Sequence, residues 1–227
     1  MKKYLFFAIL FASCVFTLSA QTKSELQIGL AVPQGDFADD NWAIYGGDGA
    51  AGTGFYLGYK LLSPLSTDGL YWTFNAGIMY NDLQSDFKDY LEDEYYADDY
   101  SLPKYFNVPI LAGLQYEKTI SDGLNLFGEA GVGLNILKIT NLSGEEDNYE
   151  ELTTFKPSVG LGFKIGAGIV LQEKYTISLN YLGLGSHKVK YEYEYEHEYY
   201  GESGSDDDKF DKALSVSSLN ITFGIRF

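Results

Sequence analysis

Residues 216–227 of the chain are Val-Ser-Ser-Leu-Asn-Ile-Thr-Phe-Gly-Ile-Arg-Phe. From Leu219 onward every second residue is bulky and apolar, and the last of them is Phe227. The residues between them are Asn, Thr, Gly and Arg. A period of two is typical of a β-strand with one apolar face and one polar face. The pattern therefore predicts that the chain ends in such a strand.

Seven other runs of similar length alternate in the same way. Together with the last run, the predicted strands cover 25–33, 52–62, 70–81, 105–117, 124–138, 155–171, 175–184 and 216–227. The connections over 63–69, 118–123 and 172–174 are short, and those over 34–51, 82–104, 139–154 and 185–215 are long. After residue 20 no stretch has the 18 consecutive apolar residues expected of a transmembrane helix.

The composition of the two strand faces separates two kinds of eight-stranded barrel. A soluble, lipocalin-like barrel needs an apolar interior and a charged exterior. Here the second face is mainly Gly, Ser, Asn and Thr, which suits a narrow lumen beneath a lipid-facing apolar surface. In lipid the sheet has to close, because every backbone polar group must be paired within the protein. We predict an all-β fold, an eight-stranded antiparallel up-and-down transmembrane β-barrel with short periplasmic turns and long acidic extracellular loops. An even strand number places both termini in the periplasm.

The first twenty residues differ from the rest. Two lysines near the start precede a short apolar run and a small-residue exit at Ala20, which is typical of a secretory signal peptide. We predict a cleaved signal peptide over 1–20 and the barrel over 21–227. The single cysteine, Cys14, lies in the signal. As a lipoprotein cysteine it would leave an apolar stub on the mature chain, so we disfavour that alternative.

The net charge of the chain is −16, which argues against a nucleic-acid partner. Of the 32 acidic residues, 26 fall in the four long connections. The simple interpretation is a solvated surface, and the alternative is binding of divalent cations that bridge to lipopolysaccharide phosphates or to a partner. The candidate cation ligands are Asp206, Asp207, Asp208, Glu145, Glu146 and Asp147. Neither cluster has the spacing of a calcium-binding loop.

The alternation also directs five charged side chains into the lumen. They are Lys60, Glu117, Glu129, Lys164 and Arg226, and Lys156 is expected to join them near the outer end. A lone buried charge is costly, so we expect these side chains to pair. The network is interpreted as a salt-bridge plug that closes the barrel, and the alternative is a narrow, gated ion path.

In residues 191–200 every second residue up to Tyr199 is Tyr, except His197, and the residues between them are Glu. We expect strand seven to continue here beyond the membrane as a β-ribbon paired with residues near 209–217. The tyrosine face is either part of an extended hairpin without a ligand or an aromatic platform for a protein or glycan partner.

Residues that could support catalysis are few. The histidines are His187 and His197, both in the last long connection, and Ser186 adjoins the first. Sequence neighbours do not make a catalytic relay, and zinc binding by two loop histidines would be unspecific. We expect no enzyme, no cofactor and no metal. A lipid-modifying barrel enzyme is the least favoured alternative.

Three segments resemble the outer-membrane β-barrel domain family, which is OmpA-like in architecture. They are residues 29–37 (GLAVPQGDF), residues 105–110 (YFNVPI) with 128–133 (GEAGVG), and residues 219–227. The last resembles the C-terminal signal read by the barrel-assembly machinery, which implies that role for Phe223, Ile225 and Phe227. Because the chain stops at Phe227, we expect no periplasmic peptidoglycan-binding domain. Small PorT-like barrels are a neighbour of similar size.

The resemblance implies an integral protein of the Gram-negative outer membrane and no single activity. We expect a non-enzymatic monomer that serves envelope structure or binds a partner through its acidic loops. Outer-membrane lipid and lipopolysaccharide, the barrel-assembly machinery, and an extracellular protein or glycan are the expected partners. A narrow ion or small-solute channel is the alternative function.

Overall fold

A computed structural model describes residues 22–40, 47–95, 101–146, 149–197 and 202–227, so the predicted signal peptide over 1–20 lies outside the described residues. A single 3₁₀ turn, Gly35–Phe37, follows the first strand. In chain order the other elements are β1 (Lys23–Pro33), β2 (Gly54–Pro64), β3 (Leu70–Asn81), α1 (Ser85–Tyr95), β4 (Tyr105–Ser121), β5 (Leu124–Ile139), β6 (Leu142–Glu146), β7 (Tyr149–Phe155), β8 (Ser158–Leu171), β9 (Tyr175–His187), β10 (Lys190–His197), β11 (Glu202–Lys209) and β12 (Leu214–Arg226).

Eight of these strands form a closed antiparallel barrel, which confirms the predicted fold. Around the barrel the strands follow the order β1-β12-β9-β8-β5-β4-β3-β2. The barrel closes where β1 pairs with β12, and there Ile28 lies opposite Phe223. Two backbone hydrogen bonds of 2.9 Å join Ser24 and Phe227, so the last residue takes part in the closure.

The barrel has two ends that differ in their connections. We call the end with the short turns β2–β3, β4–β5 and β8–β9 the turn end, and the opposite end the loop end. In the described residues no helix is both long enough and apolar enough to cross a membrane.

The outward face of the barrel strands is apolar and exposed. Leu161 is 79% exposed, Val132 68% and Phe227 74%. A continuous apolar surface of this kind is the face that a transmembrane barrel presents to lipid.

Glycines on the inner face leave room for large side chains in the narrow lumen. A Cβ atom at Gly77 would lie 2.8 Å from the ring of Tyr56, and one at Gly168 would lie 2.7 Å from the ring of Phe127. Because these contacts are too short for a real Cβ atom, glycine at both positions follows from the packing.

A second, four-stranded sheet continues from the loop end. Its order is β11-β10-β7-β6, and we call it the loop-end sheet. Strand β10 pairs with β11 on one edge and with β7 on the other. The predicted ribbon is present as β10, but its partners are residues 202–209 and 149–155, so the predicted pairing with residues near 209–217 is wrong. The segment 139–154, predicted to be a loop, contains β6 and most of β7. Strand β7 is the second neighbour of β10, and a strand with an aromatic face buries that face best between two neighbours.

Two other segments differ from their predictions. The sixth predicted strand, 155–171, starts instead at Ser158, because Pro157 has no N–H to donate and Phe155 belongs to β7. The connection over 82–104 contains α1.

Candidate functional site

The lumen near the turn end contains a buried network of charges around Glu129. This carboxylate, on β5, lies 3.2 Å from Lys60 Nζ of β2 and 2.8 Å from Lys164 Nζ of β8. Lys60 Nζ also donates a hydrogen bond of 3.0 Å to Gln115. Two cations from opposite sides of Glu129 thus share one carboxylate.

The network continues to the last strand through Glu25. Lys60 Nζ lies 3.6 Å from Glu25 Oε1, and Arg226 Nε donates a hydrogen bond of 2.7 Å to Glu25 Oε2. Arg226 Nη1 lies 2.6 Å from Glu117 Oε1. Three cations therefore face three carboxylates, so the group is balanced in charge.

The structure brings all five predicted lumen charges together and adds Glu25. The sequence pattern could have identified Glu25. It lies one and three positions before the outward residues Leu26 and Ile28, so its side chain faces inward. The network is closed to water, since the side chains of Lys60 and Glu25 are 0% exposed. Such groups are stable in a narrow interior only because each charge has an opposite neighbour.

Both apolar and polar side chains fill the lumen between this network and the loop end, where Asn107, Asn135 and His187 are buried. Tyr56, Met79, Leu111 and Leu182 are buried there as part of one apolar core. These side chains narrow the middle of the barrel.

The mouth of the barrel at the loop end is filled by residues 35–39 and 47–51, which we call the mouth plug. Phe37 and Ala50 of the plug are fully buried. The ring of Phe37 meets the ring of Tyr105 edge-on with centroids 5.2 Å apart, and Tyr105 Oη donates a hydrogen bond of 2.6 Å to the Gly49 carbonyl. The sequence did not predict this plug, because 34–51 has no periodic pattern.

Lys212 ties the mouth plug to the segment before β12. Its Nζ atom lies 2.5 Å from Asp48 Oδ1 and 3.8 Å from Asp36 Oδ2. The hydrogen bond to Asp48 raises the pKa of Lys212 above its ordinary value of 10.5.

The loop-end sheet stands on an aromatic cluster above the plug. The ring of Phe155 lies 6.1 Å from the rings of Tyr191 and Phe210. Because neighbouring residues of a strand face opposite ways, Glu192 and Thr154 lie on the other face, which we call the outer face of the sheet.

Lys156 lies on this outer face, so its predicted place in the lumen is wrong. Its Nζ atom is 2.7 Å from Asp207 Oδ1 and 3.7 Å from Glu192 Oε2. The hydrogen bond to Asp207 raises the pKa of Lys156. Lys156 is outside the lumen because the strand is interrupted between Phe155 and Ser158, so the alternation of β8 does not extend to Lys156.

The candidate cation ligands are spread over both faces of the sheet. Asp206 and Asp208 lie opposite Tyr193 and Tyr191, whereas Asp207 lies on the outer face opposite Glu192. Glu145 and Glu146 belong to β6, and Asp147 lies outside the described residues. Among the residues that the structure describes, no group of three or more His, Cys, Asp or Glu side chains could hold a metal ion.

The two histidines have different locations. His187 ends β9 and is buried in the lumen, where its Nε2 lies 3.2 Å from Asn135 Nδ2 and 3.0 Å from the Leu184 carbonyl oxygen. His197 ends β10 in the loop-end sheet. The expectation that both lie in a long connection is therefore wrong for His187.

Comparison with known proteins gives one family. A family model described as "Outer membrane protein beta-barrel domain" matches residues 5–227. Comparison with curated proteins finds no match.

Several solved structures are similar. A major outer membrane protein from Thermus thermophilus is 15% identical, with 91% of this chain and 100% of that chain covered and a TM-score of 0.51. Neisserial surface protein A is 12% identical, with 90% and 95% covered and a TM-score of 0.44. The attachment invasion locus protein Ail of Yersinia pestis is 14% identical, with 90% and 98% covered and a TM-score of 0.45. At 15% identity the likeness to the Thermus protein concerns the fold alone.

Proposed function

Because the chain belongs to the outer membrane protein beta-barrel domain family, we propose that it is a non-enzymatic outer-membrane protein that presents the loop-end sheet to a basic protein partner. The observation that carries this proposal is the charge of that sheet. Its strands β6, β7, β10 and β11 contain two, two, three and four carboxylates, against one lysine each in β10 and β11.

The arrangement of these carboxylates supports binding rather than simple solvation. On the outer face Glu194 and Glu196 are exposed, and Glu150 of β7 lies directly opposite Glu196. Like charges placed opposite one another in a sheet are destabilising, and a basic partner would relieve this repulsion. A glycan is the weaker alternative as a partner, because an uncharged glycan would not offset the charge of the carboxylates.

The filled lumen counts against the channel alternative. An ion would have to pass the charge network, then the apolar layer of Tyr56, Met79 and Leu111, and then the mouth plug. Each of these layers fills the narrow interior of an eight-stranded barrel. The contacts of His187, which are to an amide and a carbonyl, give no support to an enzyme.

We also propose that the turn end faces the periplasm and that Phe223, Ile225 and Phe227 are read by the barrel-assembly machinery. The mature chain has no cysteine if Cys14 is removed with the signal, so single cysteines can report the orientation. We expect a membrane-impermeant maleimide to label Ser205→Cys in intact cells and Asp122→Cys after lysis alone. The reverse pattern would overturn the orientation.

Partner binding can be tested with a variant that removes charge from the outer face. Glu192→Gln, Glu194→Gln and Glu196→Gln are combined in one chain. The matched control is Asp68→Asn, Asp122→Asn and Glu173→Gln, which removes the same charge from exposed positions at the turn end. The probe is a fluorescent Lys- and Arg-rich peptide added to the protein in lipid nanodiscs. We expect the first variant to weaken peptide binding and the control to leave it unchanged, whereas equal effects would refute the proposal.

A further inference from the structure

The outward face of β9 and β10 changes its chemistry in steps along the chain. Toward the turn end it is apolar, with Leu179 and Tyr181. Beyond His187 the exposed outward residues are Lys188 and Lys190, and from Glu192 onward they are acidic. The two lysines thus lie at the boundary between the lipid-facing wall and the loop-end sheet.

Neighbouring strands carry lysines at the same level. We call Lys104, Lys138, Lys156, Lys188, Lys190 and Lys209 the lysine belt. Hydrogen bonds and strand pairing join its members across the strands. The Lys104 backbone bonds to Thr140, two residues beyond Lys138, and Lys138 Nζ donates a hydrogen bond of 3.0 Å to the Phe155 carbonyl. Lys156 N donates a hydrogen bond of 2.8 Å to the Lys190 carbonyl, and Lys190 lies opposite Lys209.

Three lysines of the belt are therefore in one row across adjacent strands. Like charges directly opposite in a sheet are destabilising. Lys156 is neutralised by Asp207. Within the described part of the chain, Lys104, Lys190 and Lys209 are exposed and form no ion pair with a carboxylate. Among the described residues, Lys190 and Lys209 of this row therefore have no carboxylate as a counter-charge.

The other half of the barrel differs at this level. On the side of β12, β1, β2 and β3 the lysines near the loop end are Lys212, paired with Asp48, and Lys88, paired with Asp82 at 2.6 Å. The turn end has both signs of charge: the lysines Lys23, Lys118 and Lys174 and the acidic residues Asp68, Asp122 and Glu173. Near the loop end, the described lysines that are exposed and form no ion pair therefore lie on the side of β4, β5, β8 and β9 and on the adjoining strands β10 and β11.

We propose that the lysine belt binds the phosphate groups of lipid headgroups in the leaflet that surrounds the loop end. A lysine at the membrane surface can keep its aliphatic stem against apolar residues while its ammonium group reaches the headgroups. Basic clusters at this depth attract anionic lipid. The carboxylates of the sheet above repel phosphates, so they confine the headgroups to the level of the belt. The proposal rests on the proposed function for the identity of the leaflet, which is the outer one.

The test compares two variants of the whole protein in detergent. The first combines Lys104→Gln, Lys190→Gln and Lys209→Gln. The matched control combines Lys23→Gln, Lys118→Gln and Lys174→Gln at the turn end, and far-UV circular dichroism verifies that both remain folded. Native mass spectrometry then counts bound lipid A carrying two phosphates, bound dephosphorylated lipid A, and bound inorganic phosphate.

We expect the wild-type protein and the control to retain phosphorylated lipid A at least about tenfold better than the dephosphorylated form, and the first variant to lose this preference. The preference should also weaken as salt is raised. Retention of the preference by the first variant would overturn the proposal, as would equal binding of both lipids by the wild-type protein. Tight binding of inorganic phosphate alone would exclude a lipid as its source. The lipid-binding measurement does not depend on the orientation of the barrel or on the acidic face. Its result can therefore be interpreted even if the proposed function is wrong.

Discussion

The charge network around Glu129 gives a prediction about stability. In Glu129→Gln the carboxylate that Lys60 and Lys164 share is lost. Lys60 keeps Glu25 at 3.6 Å and Gln115 at 3.0 Å. Lys164 keeps the Asn75 amide oxygen at 3.4 Å, which carries no charge. Within the described residues, the substitution therefore leaves a buried ammonium group without a counter-charge.

The size of the effect follows from the burial of Lys164. Removing one partner of a buried ion pair costs about 3 to 5 kcal/mol, because the other charge stays buried and uncompensated. The double variant Glu129→Gln, Lys164→Met removes that charge and restores the balance between cations and carboxylates. We expect it to be more stable than the single variant by about 2 kcal/mol, which is within the range of coupling energies between residues in contact.

The assay is equilibrium unfolding by urea in lipid vesicles, followed by tryptophan fluorescence. Glu173→Gln, at an exposed position of the turn end, is the control and should change the free energy of unfolding by less than about 0.5 kcal/mol. If Glu129→Gln is as stable as the control, the network does not stabilise the barrel. If the double variant loses as much stability as the single one, the uncompensated Lys164 is not the cause.

The other predictions concern the loop end and the lumen. Tyr105→Phe removes the hydrogen bond to the Gly49 carbonyl and should lower the free energy of unfolding by about 1 kcal/mol in the same assay, while a neutral effect would show that the bond does not hold the mouth plug. Because the folded-state pKa of Lys212 is raised, its ion pair with Asp48 stabilises the folded state fully below pH 10.5. This stabilisation is lost as the pH rises through the raised pKa. The stability difference between the wild-type protein and Lys212→Gln should therefore be constant near neutral pH and narrow above 10.5, and a difference that is the same at all pH values would contradict this. In planar bilayers we expect no steady conductance from the wild-type protein or from Lys164→Gln, because the layer of Tyr56, Met79 and Leu111 remains; a wild-type conductance that rises on removal of Lys164 or Arg226 would favour the channel.

The barrel could be predicted from the sequence because lipid imposes a simple rule on each strand. Every second side chain meets hydrocarbon, so the outward residues of a strand such as β8 are apolar without exception from Val159 to Ile169. The same alternation directed Lys60, Glu129 and Lys164 inward. Where a strand crosses lipid, its period therefore fixes both its existence and its faces.

Outside the membrane the same alternation shows the two faces of a strand but does not show which strands pair with each other. The run that forms β10 has clear tyrosine and acidic faces, yet its neighbours have weak strand signals. Strand β6 contains Gly144, and β11 contains Asp206, Asp207 and Asp208, which are all of low β-propensity. Their pairing depends on tertiary contacts, such as Lys156 with Asp207, that no local pattern shows.

A shift in the alternation of β9 explains why the location of His187 near the loop end was predicted wrongly. Gly185 has a φ of +92°, and the register between β9 and β12 shifts between Ser215 and Ser217. This irregularity moves the alternation by one position, so that His187 faces the lumen. A bulge of this kind has no reliable signature in a single sequence.

The position of the charge network bears on how the barrel closes. Its six charged residues come from six different strands, β1, β2, β4, β5, β8 and β12. Glu25 and Arg226 lie opposite each other across the β1–β12 pair, where the first strand meets the last. Because Glu25 lies on the first strand and Arg226 on the last, this ion pair requires the β1–β12 pairing, and Arg226 buried without it would be costly. The ion pair therefore forms together with closure. The same last strand that carries the proposed assembly residues Phe223, Ile225 and Phe227 on its lipid face thus stabilises the closed barrel from its inner face.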